Sequence, residues 1–428
     1  MFQSWFAAHE ADANSWLRDL HAHPEVGFEE HRTAAFVAER LRSFGLEVET
    51  GIGGTGVVGL LRGQRKSAPG SQRPIGPRLI GLRAELDALP MREQAAVNYR
   101  STVEGKFHGC GHDGHAVTLL MAAAYLAKRD GIEGSVAFIF QPAEELLAGA
   151  RAMIDDGLLD RYPLDEIYAL HNLPGLAPGH VGVVRGGALA SADRIAVTIH
   201  GDGTHGSAPH TGQDGIMAAA MFLTTLQQTV TRVIDSRDSG VISFGRIAGG
   251  QAANVLPERV EIEGSMRTHD ANVRDRLVRQ IEATARSIEL TCGVKVATNI
   301  ESAVPVTMNH ATGIAAALAS ANRVVGADRI ADNVRPIMAS EDFSLFLERV
   351  PGAFIFIGQD GAYCHHPEYV FDPAVIPIGA GLLVDLAISR TAESGGDPAN
   401  DKAKLAGGAP KTRARKPNGA STSGRTAR

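Results

Sequence analysis

Four short clusters in the chain hold residues able to bind a divalent cation or move a proton. The first is Phe107-His108-Gly109-Cys110-Gly111-His112-Asp113-Gly114-His115. Cys110 and His112 stand two apart, so an extended loop would turn both side chains to one face. Thiolate and imidazole are common donors to zinc and similar ions, and Asp113 is placed to hydrogen-bond a ligating ring. The second cluster is Phe140-Gln141-Pro142-Ala143-Glu144-Glu145, in which Pro142 breaks a strand and can start a helix. One of its carboxylates can ligate a metal while the other serves as general base. The third is Tyr168-Ala169-Leu170-His171-Asn172, and the fourth Cys364-His365-His366-Pro367. Each cluster alone also reads as plain structure: a Gly-rich helix entry with an inert thiol, two acids favoured by a helix N-terminus, a histidine satisfied in a core. Together they offer a thiol, imidazoles and carboxylates, the donor set of a hydrolytic metal site that can hold two ions.

Other positions are open to more than one reading. Asp87, in Leu82-Arg83-Ala84-Glu85-Leu86-Asp87-Ala88-Leu89-Pro90, can bind metal, orient a ligand or simply serve a turn. The Gly- and Pro-dense loop 201–210 carries His205, which can reach a substrate or stand in solvent. Arg267 ends Gly264-Ser265-Met266-Arg267 and can clamp a carboxylate bidentately, although most such arginines are surface charges. Gly51-Ile52-Gly53-Gly54-Thr55-Gly56 matches G-x-G-x-x-G, but residues 57–61 read as a strand, and a dinucleotide fingerprint must open a helix. With no G-x-S-x-G elbow either, NAD binding and the α/β-hydrolase class are set aside.

For the clusters to meet, the elements carrying them must end at one rim. Residues 57–61, 79–82, 135–140, 166–170 and 354–357 read as short buried strands, and 114–128 and 374–389 as helices. Alternation of the two predicts an α/β layer with a mostly parallel sheet, whose strand C-termini are where ligands bind. The middle differs. Strands at 194–200, 241–247, 259–266 and 294–300, with helices at 216–234 and 273–290, give the β-α-β-β-α-β order of a ferredoxin-like unit. The expected division is a discontinuous catalytic domain, 1–187 with 303–392, an inserted domain at 188–302 with hinges near Ala188 and Ser302, and a disordered basic tail at 393–428. From Ser394 the chain carries eight Lys and Arg against two Asp, with few apolar residues to pack.

Composition narrows the classes further. The chain has 428 residues, 44% of them hydrophobic, and a net charge of −6. That charge argues against nucleic acid as a main partner, leaving weak binding through the tail. No run reaches the ~18 uninterrupted apolar residues of a membrane span, and the first twenty residues lack a secretory pattern. Cys110, Cys292 and Cys364 are too few for a disulfide framework. A soluble, cytoplasmic protein is expected.

In this order the blocks resemble the hippurate hydrolase and N-acyl-amino-acid amidohydrolase branch of the dinuclear-metal aminoacylase and carboxypeptidase superfamily. The matching segments are 20–30, 83–90, 108–115, 141–145, 169–172, 205–210, 254–257, 340–343 and 365–372. The resemblance implies two divalent ions per subunit, zinc or manganese with cobalt or nickel as alternatives, held by Cys110, His112, Glu145, His171 and His365. It implies Glu144 as general base, a catalytic role for Asp87, and Asn254 and Arg267 as contacts to the substrate and its carboxylate. His205 matches a residue that reaches the partner subunit's site, so a homodimer or homotetramer is expected, with the inserted domain as lid and dimerisation surface. The implied substrate is an N-acyl amino acid such as an N-acetyl or N-benzoyl derivative; a dipeptidase or carboxypeptidase using the same metals is the alternative. Glu85 stands where the family usually has the shorter Asp, Gly109 where Ala is common, and Val370-Phe371-Asp372 replaces a typical acidic run.

Overall fold

The structure is a computed structural model describing residues 1–64 and 78–392; the basic tail expected at 393–428 lies outside these. Strands with near-continuous apolar sequence, such as Ser135–Gln141 and Gly352–Gln359, are buried along their whole length. They form the middle of an eight-stranded sheet ordered Glu47–Ile52, Gly56–Leu61, Ser135–Gln141, Leu79–Glu85, Glu166–Pro174, Gly352–Gln359, Val181–Gly182, Ile330–Ala331. The four long central strands are mutually parallel. At one side Glu47–Ile52 and Gly56–Leu61 pair antiparallel, and at the other Val181–Gly182 runs antiparallel to Gly352–Gln359. Residues 53–55 make the turn of the first hairpin, with Ile52 opposite Gly56, so the Gly-rich run 51–56 opens a strand and not a helix.

Successive side chains alternate between two apolar layers, as strand geometry requires. Val136, Phe138, Phe140, Tyr168 and Leu170 join the core that holds Leu17, Leu119, Met121 and Leu383. Ala137, Ile139, Ile167 and Ala169 face the other, with Met153, Phe343 and Phe346. Helix His112–Ala127 is buried on nearly every side and is apolar all round for that reason. Val375–Ala392 is long and apolar enough to cross a membrane, but its Leu382, Leu383 and Leu386 are fully buried in this same core.

The middle of the chain builds a second sheet with its own core. Gly240–Gly249, Arg259–Thr268, Ala192–His200 and Lys295–Val304 lie in that order, every pair antiparallel. Helices Gly215–Val233 and Ala271–Cys292 pack on it through Phe222, Leu226, Leu277 and Ile281 against Ile195, Val197 and Ile262. Both helices start on an aspartate: Asp214 accepts from Met217 N–H, and Asp270 from Asn272 and Val273 N–H. The arrangement is the ferredoxin-like one. Its two connections to the rest of the chain run side by side, Gly187–Leu189 pairing with Thr307–Met308.

Three local expectations are corrected. Helix His112–Ala127 begins at His112, so Cys110 and His112 do not share an extended loop. Between them Gly111 turns the chain at φ 90°, where a Cβ would stand 2.5 Å from Tyr369 Oη. The Glu166–Pro174 strand runs past His171 rather than ending there. Pro142 starts no helix; Ala143 and Leu147 adopt left-handed turns, and the helix begins at Gly149. Three further long helices, Phe2–Ala22, His31–Ser43 and Ala311–Val325, and the short ones Gly149–Asp155, Leu158–Arg161 and Ser344–Leu347 were not read from the sequence.

Candidate active site

Parallel pairing brings the carboxyl ends of the central strands to one rim. Glu85 sits opposite Gln141, and His171 opposite Phe356. Asp87 follows the first of these strands, Glu144 and Glu145 the second, Cys364 and His365 the last. The N-terminus of helix His112–Ala127 adds Cys110 and His112. Tight backbone turns aim several of these groups: Ala143, Leu147 and His365 all adopt positive φ.

The result is two groups of donors that share one sulfur. Cys110, His112 and His171 offer ligand atoms within 4.8 Å of one another, and so do Cys110, Glu145 and His365. Glu144 adjoins both, in a third such group with His112 and Glu145. His365, not His366, enters the cluster, its Nε2 lying 3.2 Å from Glu145 Oε1. All five residues implied as ligands therefore converge.

The surroundings prepare the imidazoles to donate lone pairs. His112 Nδ1–H donates to the Asp87 backbone oxygen (2.9 Å) and carboxylate (3.1 Å), which turns Nε2 inward. Among the described residues that buried Nε2 has no hydrogen-bond partner, which leaves its lone pair free for a cation. His171 Nδ1–H donates to the Asn172 backbone oxygen at 2.7 Å, and its Nε2 faces Cys110 Sγ at 3.4 Å. Burial, reinforced by His115, pushes His171 down to about 3, so its ring is neutral. Burial works against charge on His112 too, but Asp87, Glu85 and Glu145 push that ring up to about 10: the carboxylates make this corner attract positive charge. Asp113 orients neither ring. Its carboxylate accepts instead from His21 Nδ1 (2.7 Å) and Gly114 N–H (2.8 Å). Asp87 does the orienting, and Asp87 Oδ2 also accepts from Glu145 N–H at 2.9 Å. The residues present thus fit a pair of divalent ions.

Glu144 is 6% exposed, and burial together with Glu341, Glu145 and Asp342 pushes its carboxyl well above the usual range. A carboxylate with raised proton affinity is suited to general-base work near neutrality.

Beneath the rim lies a network that sequence reasoning did not assign. The fully buried Arg83 donates to Gln141 (2.8 Å), Glu341 (2.8 Å), Asp342 (3.2 Å) and, by a very short contact, Glu85. Glu85 also meets His115 Nδ1 at 2.9 Å, and His115 Nε2 reaches Asn172 Oδ1 at 2.8 Å. Glu85 thereby spans Arg83 and His115. A signal was available: an Arg and a Glu inside the apolar strand Leu79–Glu85 must be paired if that strand is buried.

A cavity of about 390 Å³ opens over the cluster. Cys110, Glu144, Glu145, His171 and His365 line its floor, Leu147, Leu173, Ile337 and Phe356 its apolar side. Arg267 lines it as well, held by Nη1 bonds to Ser340 Oγ (2.6 Å) and the Met338 backbone oxygen (3.2 Å). His205 and Asn254 are brought to each other, Gly206 N–H donating to the Asn254 backbone oxygen at 2.7 Å, but neither lines this cavity. Both are exposed.

Paired cation donors beneath a carboxyl of raised proton affinity are a device for turning water on an amide, and the class is that of the metal-dependent amidohydrolases. The chain belongs to Peptidase family M20/M25/M40, whose family model matches residues 81–389. It is 36% identical over 370 residues to hippurate hydrolase of Campylobacter jejuni, across 86% of this chain and 94% of that one. It is 36% identical over 374 residues to N-acetyl-L-cysteine deacetylase of Bacillus subtilis, across 86% of each. Among solved structures, the YXEP protein of Bacillus subtilis, described as a dinuclear metal binding peptidase from M20 family, superposes with a TM-score of 0.79 at 29% identity, covering 90% of this chain and 99% of that one.

Proposed function

We propose that the protein hydrolyses the amide bond of N-acyl amino acids, N-acetyl or N-benzoyl compounds among them, releasing a carboxylate and the free amino acid. The observation that carries this reading is that one cavity joins the Cys110-centred donors, Glu144, an apolar wall and Arg267. Cys110, His112, Glu145, His171 and His365 would hold two divalent ions. A thiolate with imidazoles favours zinc, cobalt or nickel over magnesium or calcium, and the carboxylate donor also admits manganese; zinc or manganese is the first choice. Bound there, the ions supply Lewis acidity, which lowers the pKa of water and polarises the scissile carbonyl.

The chain's own groups do the rest. Glu144 takes the proton of the attacking water and returns it to the leaving amine. Arg267 pairs with the substrate carboxylate and fixes the amide above Glu144. The apolar side of the cavity takes the acyl group. Asp87 holds His112 and the Glu145 backbone in place. His205 and Asn254 serve the cavity of a second subunit in a homodimer. Their exposure supports this, as do Ile216, Met217, Val241, Ile247 and Val255, apolar and exposed on the same unit. That unit, 188–302, is the lid and dimerisation domain, and the cytoplasm is the proposed location.

The test is to strip the protein with chelator, restore zinc, manganese or cobalt separately, and follow free amine release. Metal-restored release from N-acetyl or N-benzoyl amino acids is expected. Release from dipeptides alone would move the protein to the peptidase reading, and no release from metal-loaded, folded protein would overturn both. Glu144→Gln is expected to keep its metal content while kcat falls about 10²–10⁴-fold. An active Glu144→Gln enzyme would remove Glu144 from the role of base.

A further inference from the structure

We infer that Cys110 and Cys364 form a redox pair: a hydroperoxide can join them in a disulfide at the mouth of the active site. The two are 254 residues apart, in a chain holding three cysteines. The fold nevertheless sets their backbones side by side, His365 N–H donating to the Gly109 oxygen at 2.7 Å. Cys364 Sγ lies 4.0 Å from the Cys110 backbone oxygen and 4.0 Å from Asn172 Nδ2. Both side chains line the same cavity. A disulfide needs neighbouring backbones with Cβ atoms about 3.5–4.5 Å apart, the arrangement that adjacent hydrogen-bonded segments provide.

Cys364 has no other assignment. It belongs to neither donor group, yet it lines the cavity with Cys110. Of the two it is the more exposed, and its neighbours Tyr363 and His365 are exposed, so a small oxidant meets it first. The remaining cysteine, Cys292, sits in the ferredoxin-like unit with its sulfur 3.7 Å from Met221 Sδ.

The step balances with a hydroperoxide as oxidant. The Cys364 sulfur takes the terminal oxygen, the O–O bond breaks, an alcohol or water leaves, and Cys364 becomes a sulfenic acid. The Cys110 sulfur then attacks that sulfur: the S–S bond forms, the S–O bond breaks, and water departs with the Cys110 proton. Two thiols are oxidised by two electrons, and the peroxide is reduced by the same two. Because Cys110 is common to both donor groups, one bond removes a donor from each. This consequence rests on reading Cys110 as a metal donor; the bond itself does not.

The experiment treats full-length, zinc-loaded protein and its chelator-stripped form with tert-butyl hydroperoxide. Remaining thiols are then alkylated and the unreduced digest is mapped by mass. The expected product is a peptide pair joined through Cys110 and Cys364, two hydrogens lighter than the free pair and separated again by dithiothreitol. Zinc release to a chromophoric chelator should rise in step with it. Cys364→Ser should yield no such pair, and dithiothreitol should then restore less of the variant's own untreated activity. Recovery of both cysteines fully alkylated, or of Cys110 joined only to Cys292 or to a second chain, would overturn the inference, and the wild-type map alone suffices if Cys364→Ser fails to fold. A Cys110–Cys364 pair without zinc release would support the bond and overturn Cys110 as donor.

Discussion

The rim of the parallel sheet and the exposed face of the antiparallel unit use the same charged residue types in opposite ways. Beneath the rim, Glu85, Glu341 and Asp342 all pair with Arg83, and all four are 2% exposed or less. On the antiparallel unit, Arg246 reaches Glu261 and Glu263 with its own side chain half exposed, and the exposed Arg259 and Arg194 pair with Glu261 and Glu263 respectively. Water screens the second set, so each pair contributes little. In the first set no water substitutes for a lost partner, and each charge depends on the others. Charge is thus held rigidly where ions and a proton must be handled. The inserted unit carries its charge on a surface.

The largest effect expected from breaking this contrast is at Arg83. Arg83→Met leaves three buried carboxylates without their cation, so a loss of about 3–5 kcal/mol in unfolding free energy is expected. Chemical denaturation of metal-loaded protein measures it; a loss near zero would mean that the network is not held by Arg83.

Next comes His21, 1% exposed beside Asp113 and Glu93. Burial disfavours its charge, but hydrogen bonds to those carboxylates raise it from 6.5 to about 9. Since the folded value is the higher one, the stabilisation is complete below about pH 6.5 and disappears as pH rises through 9. The difference in unfolding free energy between wild type and His21→Gln is expected to shrink by up to ~3 kcal/mol between pH 6 and 9.5. A pH-independent difference would show that His21 acts by packing alone.

The smallest effect belongs to the exposed face. Arg246→Ala should change stability by about 0–1 kcal/mol and less at high salt. A loss as large as that of Arg83→Met would erase the contrast.

The donor residues were legible because thiol, imidazole and carboxylate types are chemically uncommon in such clusters, and because the strands that carry them are plain apolar runs. The inserted unit was legible from alternation in 194–200 and helical spacing in 273–290. The first helix left a weaker trace, Phe6, Ala13, Leu17 and Leu20 recurring at helical spacing among many polar residues. Asp113 was misread because one-residue proximity to His112 says nothing about direction on a helix; its carboxylate turns to His21 instead.

Residue type and order alone determined which groups can bind cations and accept a proton, and the alternation of elements that sets them at strand ends. Tertiary structure alone decided which atom of each group faces the cavity. Asp87 rather than Asp113 holds His112, Glu85 spans Arg83 and His115, and Cys364 meets Cys110 across 254 residues. The reason is range. Type and periodicity act between neighbours in the chain, whereas the partner of a buried polar atom is set by whichever segment the parallel pairing brings alongside it.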